Sequence, residues 1–210
     1  YHDFNKEKRA PEILNKLKSG KSVALVTDAG TPAVSDPGYY LVRAAIGADI
    51  GVVPIPGPSA LVAALSVSGL PTDSFVFVGF VPRKSAKRRQ LLKELKEEPR
   101  TLIFYESPKR LLGLMKDLVD VVGNRNAVLA RELTKIHEET LRGPLSQLTD
   151  LLAGRSSLKG ECTLLVHGSQ GPEDVDQAFV LDELRRLHLE GDRSLSDAVR
   201  AVAEKYSLSR

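Results

Sequence analysis

The chain has 210 residues, of which 42% are apolar and 27% are charged, and its formal net charge is +3. This is the composition of an ordinary globular protein, and it argues against disordered, collagenous and membrane-spanning classes because no run of about 18 apolar residues occurs. The charge is uneven: residues 1–171 carry 24 basic against 18 acidic residues, whereas residues 172–210 carry 6 against 9. The single cysteine, Cys162, lies in an apolar run, which predicts a buried thiol and a reducing compartment.

The hydrophobic pattern predicts helices and strands in alternation. In chain order these are a helix at 10–18, a strand at 22–27, a helix at 39–46, a strand at 51–55, a helix at 59–68, a strand at 75–80, a helix at 86–96, a strand at 101–105, a helix at 109–121, strands at 127–132 and 140–142, a helix at 145–153, a strand at 162–167, and helices at 175–189 and 194–206. Such alternation indicates an α/β fold, with helices on the faces of a mostly parallel sheet.

Two breaks in composition divide the chain into three predicted parts. The Leu70-Pro71 turn separates a first α/β unit, residues 1–71, from a second α/β unit, residues 72–170. A segment rich in Gly and Ser then leads into a helical appendix, residues 171–210, whose last helix has a plausible cap at Ser194 and Asp197. No internal repeat of 20 to 50 residues is visible.

The loop after the first predicted strand is the first candidate ligand site. Gly and Pro are concentrated in this part of the chain, with 12 of the 28 lying between Asp28 and Pro71. In open α/β sheets ligands bind beyond the carboxyl ends of strands, where glycine lets the backbone come close to them. The alternative is an ordinary strand-to-helix connection with Asx turns. The candidate ligand-binding residues are Asp28, Ala29, Gly30, Thr31, Pro32 and Asp36.

A second loop follows the next predicted strand and contains Pro56, Gly57, Ser59 and Ala60. Ser59 is placed to cap a helix, and a helix N-terminus offers free N–H groups to a carboxylate or phosphate. By itself this pattern is more often only a cap. Neither loop matches a phosphate-binding P-loop or a dinucleotide fingerprint, which disfavours nucleoside triphosphate and nicotinamide enzymes.

Three further motifs follow these loops in order: Leu-Ile-Phe-Tyr-Glu-Ser-Pro-Lys-Arg at 102–110, Ala-Arg-Glu-Leu-Thr-Lys at 130–135 and Gly-Glu-Cys-Thr-Leu-Leu-Val at 160–166. Together the five motifs resemble the ribosomal RNA small subunit methyltransferase I family, which are 2′-O-ribose methyltransferases of the tetrapyrrole methylase superfamily. The helical appendix resembles that family's C-terminal helix-turn-helix segment. Members of the family begin with a strand and a glycine-containing turn that would lie upstream of Tyr1, so we expect the chain to be shortened at both ends.

The resemblance implies two α/β units of the tetrapyrrole methylase type that hold S-adenosylmethionine between them. It implies that the cofactor contacts both loops and, from the second unit, Tyr105, Glu106, Arg131 and Glu132. Ser59 and the adjacent helix would take the cofactor carboxylate, and backbone near Tyr105 would take adenine. The implied reaction is methylation of a cytidine ribose in small-subunit ribosomal RNA by a cytoplasmic homodimer, with an organellar location as the alternative for a eukaryotic chain.

Transfer of a methyl group to a ribose hydroxyl benefits from a general base that removes the hydroxyl proton. The candidates are Asp28, Asp36, Glu106 and Glu132, together with Lys135 if desolvation lowers its pKa. Asp36 and Glu132 are favoured among them. The competing interpretation is structural, because Arg131 and Glu132 could pair with other charges and Glu106 could cap a helix.

A basic segment offers an RNA contact, because Lys and Arg on the phosphate backbone supply much of the affinity for nucleic acid. Its members are Arg83, Lys84, Lys87, Arg88 and Arg89. A solvated helix face is the alternative. The four histidines are scattered, so no metal site is predicted. Two other functions stay open: a small-molecule methylase of the same superfamily, and an RNA-binding protein without catalysis.

Overall fold

The structure is a computed structural model and describes residues 6–170, 177–189 and 194–206. Helices and strands alternate along this part of the chain. The elements are α1 (Lys6–Lys18), α2 (Gly38–Ile46), α3 (Ala60–Ser66), β1 (Phe75–Phe80), α4 (Ser85–Glu94), β2 (Thr101–Glu106), α5 (Pro108–Val122), β3 (Asn126–Arg131), β4 (Glu139–Pro144), α6 (Leu145–Ala153), β5 (Cys162–Val166), α7 (Gln177–Leu189) and α8 (Leu195–Tyr206).

The strands of the described residues form a five-stranded sheet in the order β1-β2-β5-β3-β4. Only β1 and β2 pair in parallel, whereas β5 is antiparallel to both β2 and β3, and β4 is antiparallel to β3. The expectation of a mostly parallel sheet is therefore wrong. The strands β1, β2 and β3, which helices connect, do run in the same direction, but the β3–β4 hairpin reverses the chain and β5 inserts between β2 and β3.

The predicted strands at 22–27 and 51–55 do not form, which is a second correction. Neither segment belongs to a strand in the described part of the chain. Their apolar side chains are exposed, with Val26 at 82%, Val53 at 79% and Ile55 at 84%. A strand is stable only when a neighbour takes up its backbone hydrogen bonds, and no described segment pairs with these two.

The core lies on both faces of the sheet. On one face, α4, α5 and α6 pack against Leu102 and Phe104 of β2. On the other face, α3 packs against Ile103, Val128 and Leu165. Alternate residues of a strand point to opposite faces, so β2 must be apolar on both sides. This burial explains why the β2 sequence reads as a continuous apolar run.

The C-terminal helices α7 and α8 contact each other. The capping pattern predicted at the start of α8 is confirmed. The Asp197 N–H donates to Ser194 Oγ at 3.2 Å, and the Ser194 hydroxyl donates to Asp197 Oδ2 at 2.6 Å. These bonds join the side chains of the first turn to its backbone, where the Asp197 N–H also donates to the Ser194 carbonyl at 3.0 Å.

Candidate active site

The motifs of the second predicted unit lie together at one edge of the sheet. The strands β1, β2 and β3 end at this edge and β5 begins there. In the strand register Glu106 lies opposite Cys162, and Cys162 in turn lies opposite Arg131. The side chain of Cys162 is buried as predicted, and burial raises the pKa of its thiol to about 11. This thiol therefore stays protonated and packs as an apolar group.

Asp36 organises the first loop. Its Oδ1 accepts the Gly38 N–H at 2.8 Å and the Ala33 N–H at 3.3 Å, and its Oδ2 accepts the Thr27 hydroxyl at 3.4 Å. Ala33 and Ser35 adopt positive φ angles of 69° and 54°, which are costly for residues other than glycine. The Asp36 carboxylate thus holds a strained backbone, which is a structural use of this candidate base.

The two predicted loops meet each other and the sheet. The Thr31 hydroxyl donates to the Pro58 carbonyl at 2.9 Å, and the Leu61 N–H donates to the Tyr105 hydroxyl at 2.9 Å. At the bulge in β1, Gly79 has φ +70°, and a Cβ there would lie 3.1 Å from Ser35 Oγ. Glycine at this position therefore permits the first loop to approach the sheet. These contacts place the two loops beside the ends of β1 and β2.

The side chain of Tyr105, a residue of β2, reaches the start of α3. Its hydroxyl oxygen accepts a hydrogen bond from the Leu61 N–H, and the Ser59 side chain contributes a second hydrogen bond to the same hydroxyl. Burial raises the pKa of Tyr105, while these two hydrogen bonds oppose the rise. Ser59 is the N-cap residue of α3, as predicted, but its side chain makes no capping hydrogen bond to the helix. Phe77 and Phe80 contact the Tyr105 ring edge-on, with ring centroids 4.9 and 5.9 Å away.

The turn between β3 and β4 holds Glu132 and Lys135. Glu132 has φ 51°, and its Oε1 accepts from Lys135 Nζ and from the Glu161 N–H, both at 2.9 Å. The hydrogen bond from Lys135 and that from Glu161 lower the pKa of Glu132. The hydrogen bonds to Glu132 and Glu161 raise the pKa of Lys135. Both shifts favour the ion pair: Glu132 becomes a weaker base than a free carboxylate, and Lys135 stays protonated and therefore has no lone pair to accept a proton.

Arg131 belongs to an ion-pair network beside this turn. Its Nε donates to Glu139 Oε2 at 3.1 Å, and its Nη1 donates to the Lys159 carbonyl at 3.0 Å. Arg155 forms a bidentate ion pair with the Glu139 carboxylate: its Nη1 donates to Oε2 at 2.7 Å and its Nη2 donates to Oε1 at 2.6 Å. The hydrogen bonds from Arg155, then from Arg131, hold the pKa of Glu139 at about 2 although burial opposes them. The network fixes the end of β3 to the start of β4.

Glu106 is fully buried and paired. Its Oε1 accepts the Ser107 N–H at 2.8 Å, and its Oε2 lies 2.8 Å from Arg110 Nη2. The Arg110 guanidinium also donates to the Val81 carbonyl at 2.5 Å. Glu106 therefore anchors an arginine. The pair joins the last residue of β2 to the first turn of α5.

The five predicted RNA contacts do not share one exposed face. Arg83, Lys84 and Lys87 are exposed. Arg88 is 8% exposed, and its guanidinium lies 2.6 Å from Asp117 of α5, so the expectation that Arg88 contacts RNA is wrong. Arg89 forms ion pairs with two carboxylates of α5, those of Asp117 and the exposed Asp120, both at 2.9 Å. Two arginines of the segment thus attach α4 to α5. Asp117 was missed because nothing in the local sequence links it to α4.

In residues 6–170, 177–189 and 194–206, no group of three or more His, Cys, Asp or Glu side chains could hold a metal ion. Within the same residues, no helix has the length and apolar character needed to cross a bilayer.

Sequence comparison identifies relatives across most of the chain. Residues 2–149 match the family model of tetrapyrrole (corrin/porphyrin) methylases. A Pseudomonas aeruginosa protein named ribosomal RNA small subunit methyltransferase I is 49% identical over 190 residues, which are 90% of this chain and 67% of the relative. The protein of that name from Halalkalibacterium halodurans is 50% identical over 83% of this chain and 61% of its own length. The chain belongs to the ribosomal RNA small subunit methyltransferase I family. It spans about two thirds of the length of these relatives.

Solved structures agree on the fold. Uroporphyrin-III C-methyl transferase from Thermus thermophilus, complexed with S-adenyl homocysteine, matches 76% of this chain and 73% of its own, with a TM-score of 0.54 and 17% sequence identity. This likeness confirms the α/β fold of the tetrapyrrole methylase type. The family membership confirms the resemblance that the five motifs indicated.

Proposed function

We propose that the protein is a methyltransferase that transfers a methyl group from S-adenosylmethionine to the 2′-hydroxyl of a cytidine ribose in small-subunit ribosomal RNA. The observation that carries this proposal is 49% sequence identity, over 90% of the chain, to the Pseudomonas aeruginosa protein named ribosomal RNA small subunit methyltransferase I. The geometry supports it, because the motifs of both predicted units meet at one edge of the sheet. That edge is where ligands bind in α/β proteins.

The residues at this edge fit the chemistry of the cofactor. The Tyr105 ring, packed edge-on by Phe77 and Phe80, supplies an apolar wall for adenine. Asp28 is exposed in the first loop and supplies a carboxylate for the cofactor ammonium. Gly79 leaves room for a close approach between loop and sheet. The remaining members of the proposed cofactor site are Ala29, Gly30, Thr31, Pro32, Asp36, Pro56, Gly57, Ser59, Ala60 and Arg131. Glu106 is left out of the proposed site, because its side chain is 0% exposed and pairs with Arg110.

S-adenosylmethionine supplies an electrophilic methyl group with a neutral thioether as leaving group. In the displacement, the ribose oxygen forms a bond to the methyl carbon while the carbon–sulfur bond breaks. The hydroxyl proton must go to a base or to water. The protein accelerates the step by holding the oxygen in line with the carbon–sulfur bond and by excluding water.

The contacts of the candidate bases support an order among them. Glu132 and Lys135 form an ion pair, and the Asp36 carboxylate accepts a backbone N–H of the first loop. Asp28 is exposed, and among the described residues no side chain pairs with its carboxylate. We therefore place Asp28 first among the base candidates, ahead of Asp36 and Glu132. It either accepts the ribose proton or binds the cofactor ammonium. An Asp28→Asn variant distinguishes these roles, because loss of a base lowers kcat whereas loss of an ammonium contact raises the KM for S-adenosylmethionine.

We assign RNA phosphate contacts to the exposed part of the basic segment, Arg83, Lys84 and Lys87. Replacing Lys84 and Lys87 with Gln tests this assignment. A matched control replaces two exposed lysines of α1, Lys16 and Lys18, with Gln. Each phosphate contact that is lost lowers the slope of log K against log salt by about 0.7 to 0.9. We expect a smaller slope only for the variant at Lys84 and Lys87, and equal slopes for both variants would reject the assignment.

We further propose a homodimer that acts in the cytoplasm. Exposed apolar side chains on α2 and α3, including Tyr39, Ile46 and Val62, offer a surface for a second copy. Light scattering measures the mass of the particle, and a monomer at micromolar concentration would reject the dimer. Cytoplasmic action follows from a ribosomal substrate.

The decisive experiment measures methyl transfer. Small ribosomal subunits from a strain that lacks the corresponding gene are incubated with the protein and methyl-deuterated S-adenosylmethionine, and the nucleosides are separated by mass spectrometry. We expect deuterated 2′-O-methylcytidine. Label in a tetrapyrrole instead would favour a small-molecule methylase. Binding of RNA without binding of cofactor by calorimetry would favour a non-catalytic RNA-binding protein.

A further inference from the structure

A buried carboxylate at the end of β2 has a consequence for substrate binding. The Glu106 side chain is 0% exposed. A carboxylate in such a place is strongly disfavoured unless charged or polar groups surround it. The Ser107 N–H and the Arg110 guanidinium provide those groups, each at 2.8 Å. Oε1 accepts a hydrogen bond from Ser107, whereas Oε2 has the ion-pair contact with Arg110 and no hydrogen bond.

Arg110 connects this carboxylate to another strand. Its Nη2 donates to the carbonyl of Val81, the residue that follows β1, and Val81 is itself buried. Arg110 lies in the first turn of α5, so a single side chain ties together the ends of β1 and β2 and the start of α5. Arginine suits this position because its planar guanidinium donates in several fixed directions, which a lysine ammonium does not reproduce.

The residues after Val81 lead directly to the basic surface. Arg83 and Lys84 follow within three residues, a distance of about 10 Å at most for an extended chain. Pro82 stiffens the connection. The position of the Val81 carbonyl therefore sets the position from which Arg83 and Lys84 extend.

We propose that Arg110 is a positioning residue for RNA binding, and that Glu106 acts by orienting Arg110 and does not accept the ribose proton. The inference rests on the proposed RNA methylation. It assigns Glu106 a role different from that of a base: the carboxylate fixes the guanidinium, the guanidinium fixes the Val81 carbonyl, and the carbonyl fixes the start of the basic segment.

The test uses the variants Arg110→Lys and Glu106→Gln, which keep the size of each side chain nearly unchanged. The matched control is Arg100→Lys. Arg100 precedes β2 at the opposite end of the strand, where it pairs with Glu98 at 2.7 Å. Initial rates are measured on small subunits that lack the modification, with each substrate varied in turn. Calorimetry measures the Kd for S-adenosylmethionine.

For Arg110→Lys and Glu106→Gln we expect the KM for ribosomal subunits to rise about tenfold, the amount that corresponds to loss of one charged contact. We expect kcat at saturation and the Kd for S-adenosylmethionine to stay within about threefold, and Arg100→Lys to match the unmodified protein. In a Lys84→Gln/Lys87→Gln background, Arg110→Lys should add little further loss, because the contacts that it positions are already absent.

Two results would overturn the proposal. If Glu106→Gln lowers kcat by about a hundredfold or more and removes the acidic limb of the pH profile, Glu106 is the base. If the losses from Arg110→Lys and from the Lys84→Gln/Lys87→Gln pair are fully additive, Arg110 acts independently of the basic segment. Failure of the proposed function is a separate outcome, because the unmodified protein would then not methylate the subunits.

Discussion

The attachment of α4 to α5 gives the sharpest stability prediction. The side chains of Arg88 and Asp117 are 10% and 11% exposed and lie 2.6 Å apart, and Ser85 adds a hydrogen bond to the same carboxylate at 3.1 Å. Burial tends to raise the pKa of Asp117, but hydrogen bonds from Arg89 and Arg88 outweigh burial and lower it. At pH 7 the pair is therefore ionised, and Asp117→Ala leaves a buried guanidinium without its counter-charge.

The magnitude follows from this loss. Removing one partner of a buried ion pair costs about 3–5 kcal/mol in the free energy of unfolding. After the change, Arg88 keeps only the Gly113 carbonyl, at 3.4 Å. For a chain of this length each kcal/mol lowers the melting temperature by about 2–4 °C, so the expected decrease is roughly 6–20 °C. Replacing both partners with apolar residues should cost much less than Asp117→Ala alone.

Urea unfolding followed by circular dichroism at pH 7 measures this free energy. The control is Glu12→Gln, which breaks the exposed pair between Arg9 and Glu12 and should cost less than about 1 kcal/mol. The pKa of Asp117 is lower in the folded state than in the unfolded state, so the difference between the protein and Asp117→Ala should shrink as the pH falls below about 4. A cost for Asp117→Ala equal to that of the control at pH 7 would refute the reasoning.

Three further predictions concern the site. The pKa of Glu139 is about 2 against an ordinary 4.5, so the stability advantage over Glu139→Gln should be complete above about pH 4.5 and disappear as the pH falls towards 2; an unfolding series that shows no pH dependence would contradict it. Gly160→Ala places a Cβ 2.3 Å from Glu132 Cγ at φ +94° and should cost about 1–3 kcal/mol by thermal unfolding, whereas Gly154→Ala should be nearly neutral. Tyr105→Phe removes the acceptor for a backbone N–H of α3 and should cost about 1–2 kcal/mol in urea unfolding, so an unchanged free energy would exclude the bond.

Local pattern predicted the second half of the chain well. The strand at 75–80 and the helix at 145–153 are found with the predicted bounds, because a buried face imposes its own periodicity on the sequence. The same signal failed at 22–27 and 51–55. A short apolar run shows that a segment is suited to pairing as a strand, but it does not supply the neighbouring strand. The order of the strands in the sheet could not be predicted either, because no local feature of the β5 sequence indicates that β5 inserts between β2 and β3.

The candidate site was also predicted only in part. The family resemblance implied that the two loops and Tyr105 belong to one site. In the structure Thr31 contacts Pro58 of the second loop, and Tyr105 contacts the start of α3. The ionic partners were harder to predict. Arg88 and Asp117 are 29 residues apart, and the charge of an arginine does not reveal whether it faces solvent or a neighbouring helix. For that reason the sequence overestimated the number of cations available to RNA.

The central position of β5 determines the order in which the sheet can be completed during synthesis. β1 and β2 leave the ribosome first and can pair at once, and β3 and β4 can then form a hairpin of their own. These two halves share no ladder until residues 162–166 emerge and pair with both. Until then Glu106 and Arg131 have no strand between them, so the edge where we propose the ligand site is not formed in the nascent chain. We expect that β5 must fold before this edge is complete, and that a protein stalled before Cys162 would expose the apolar borders of both halves to aggregation.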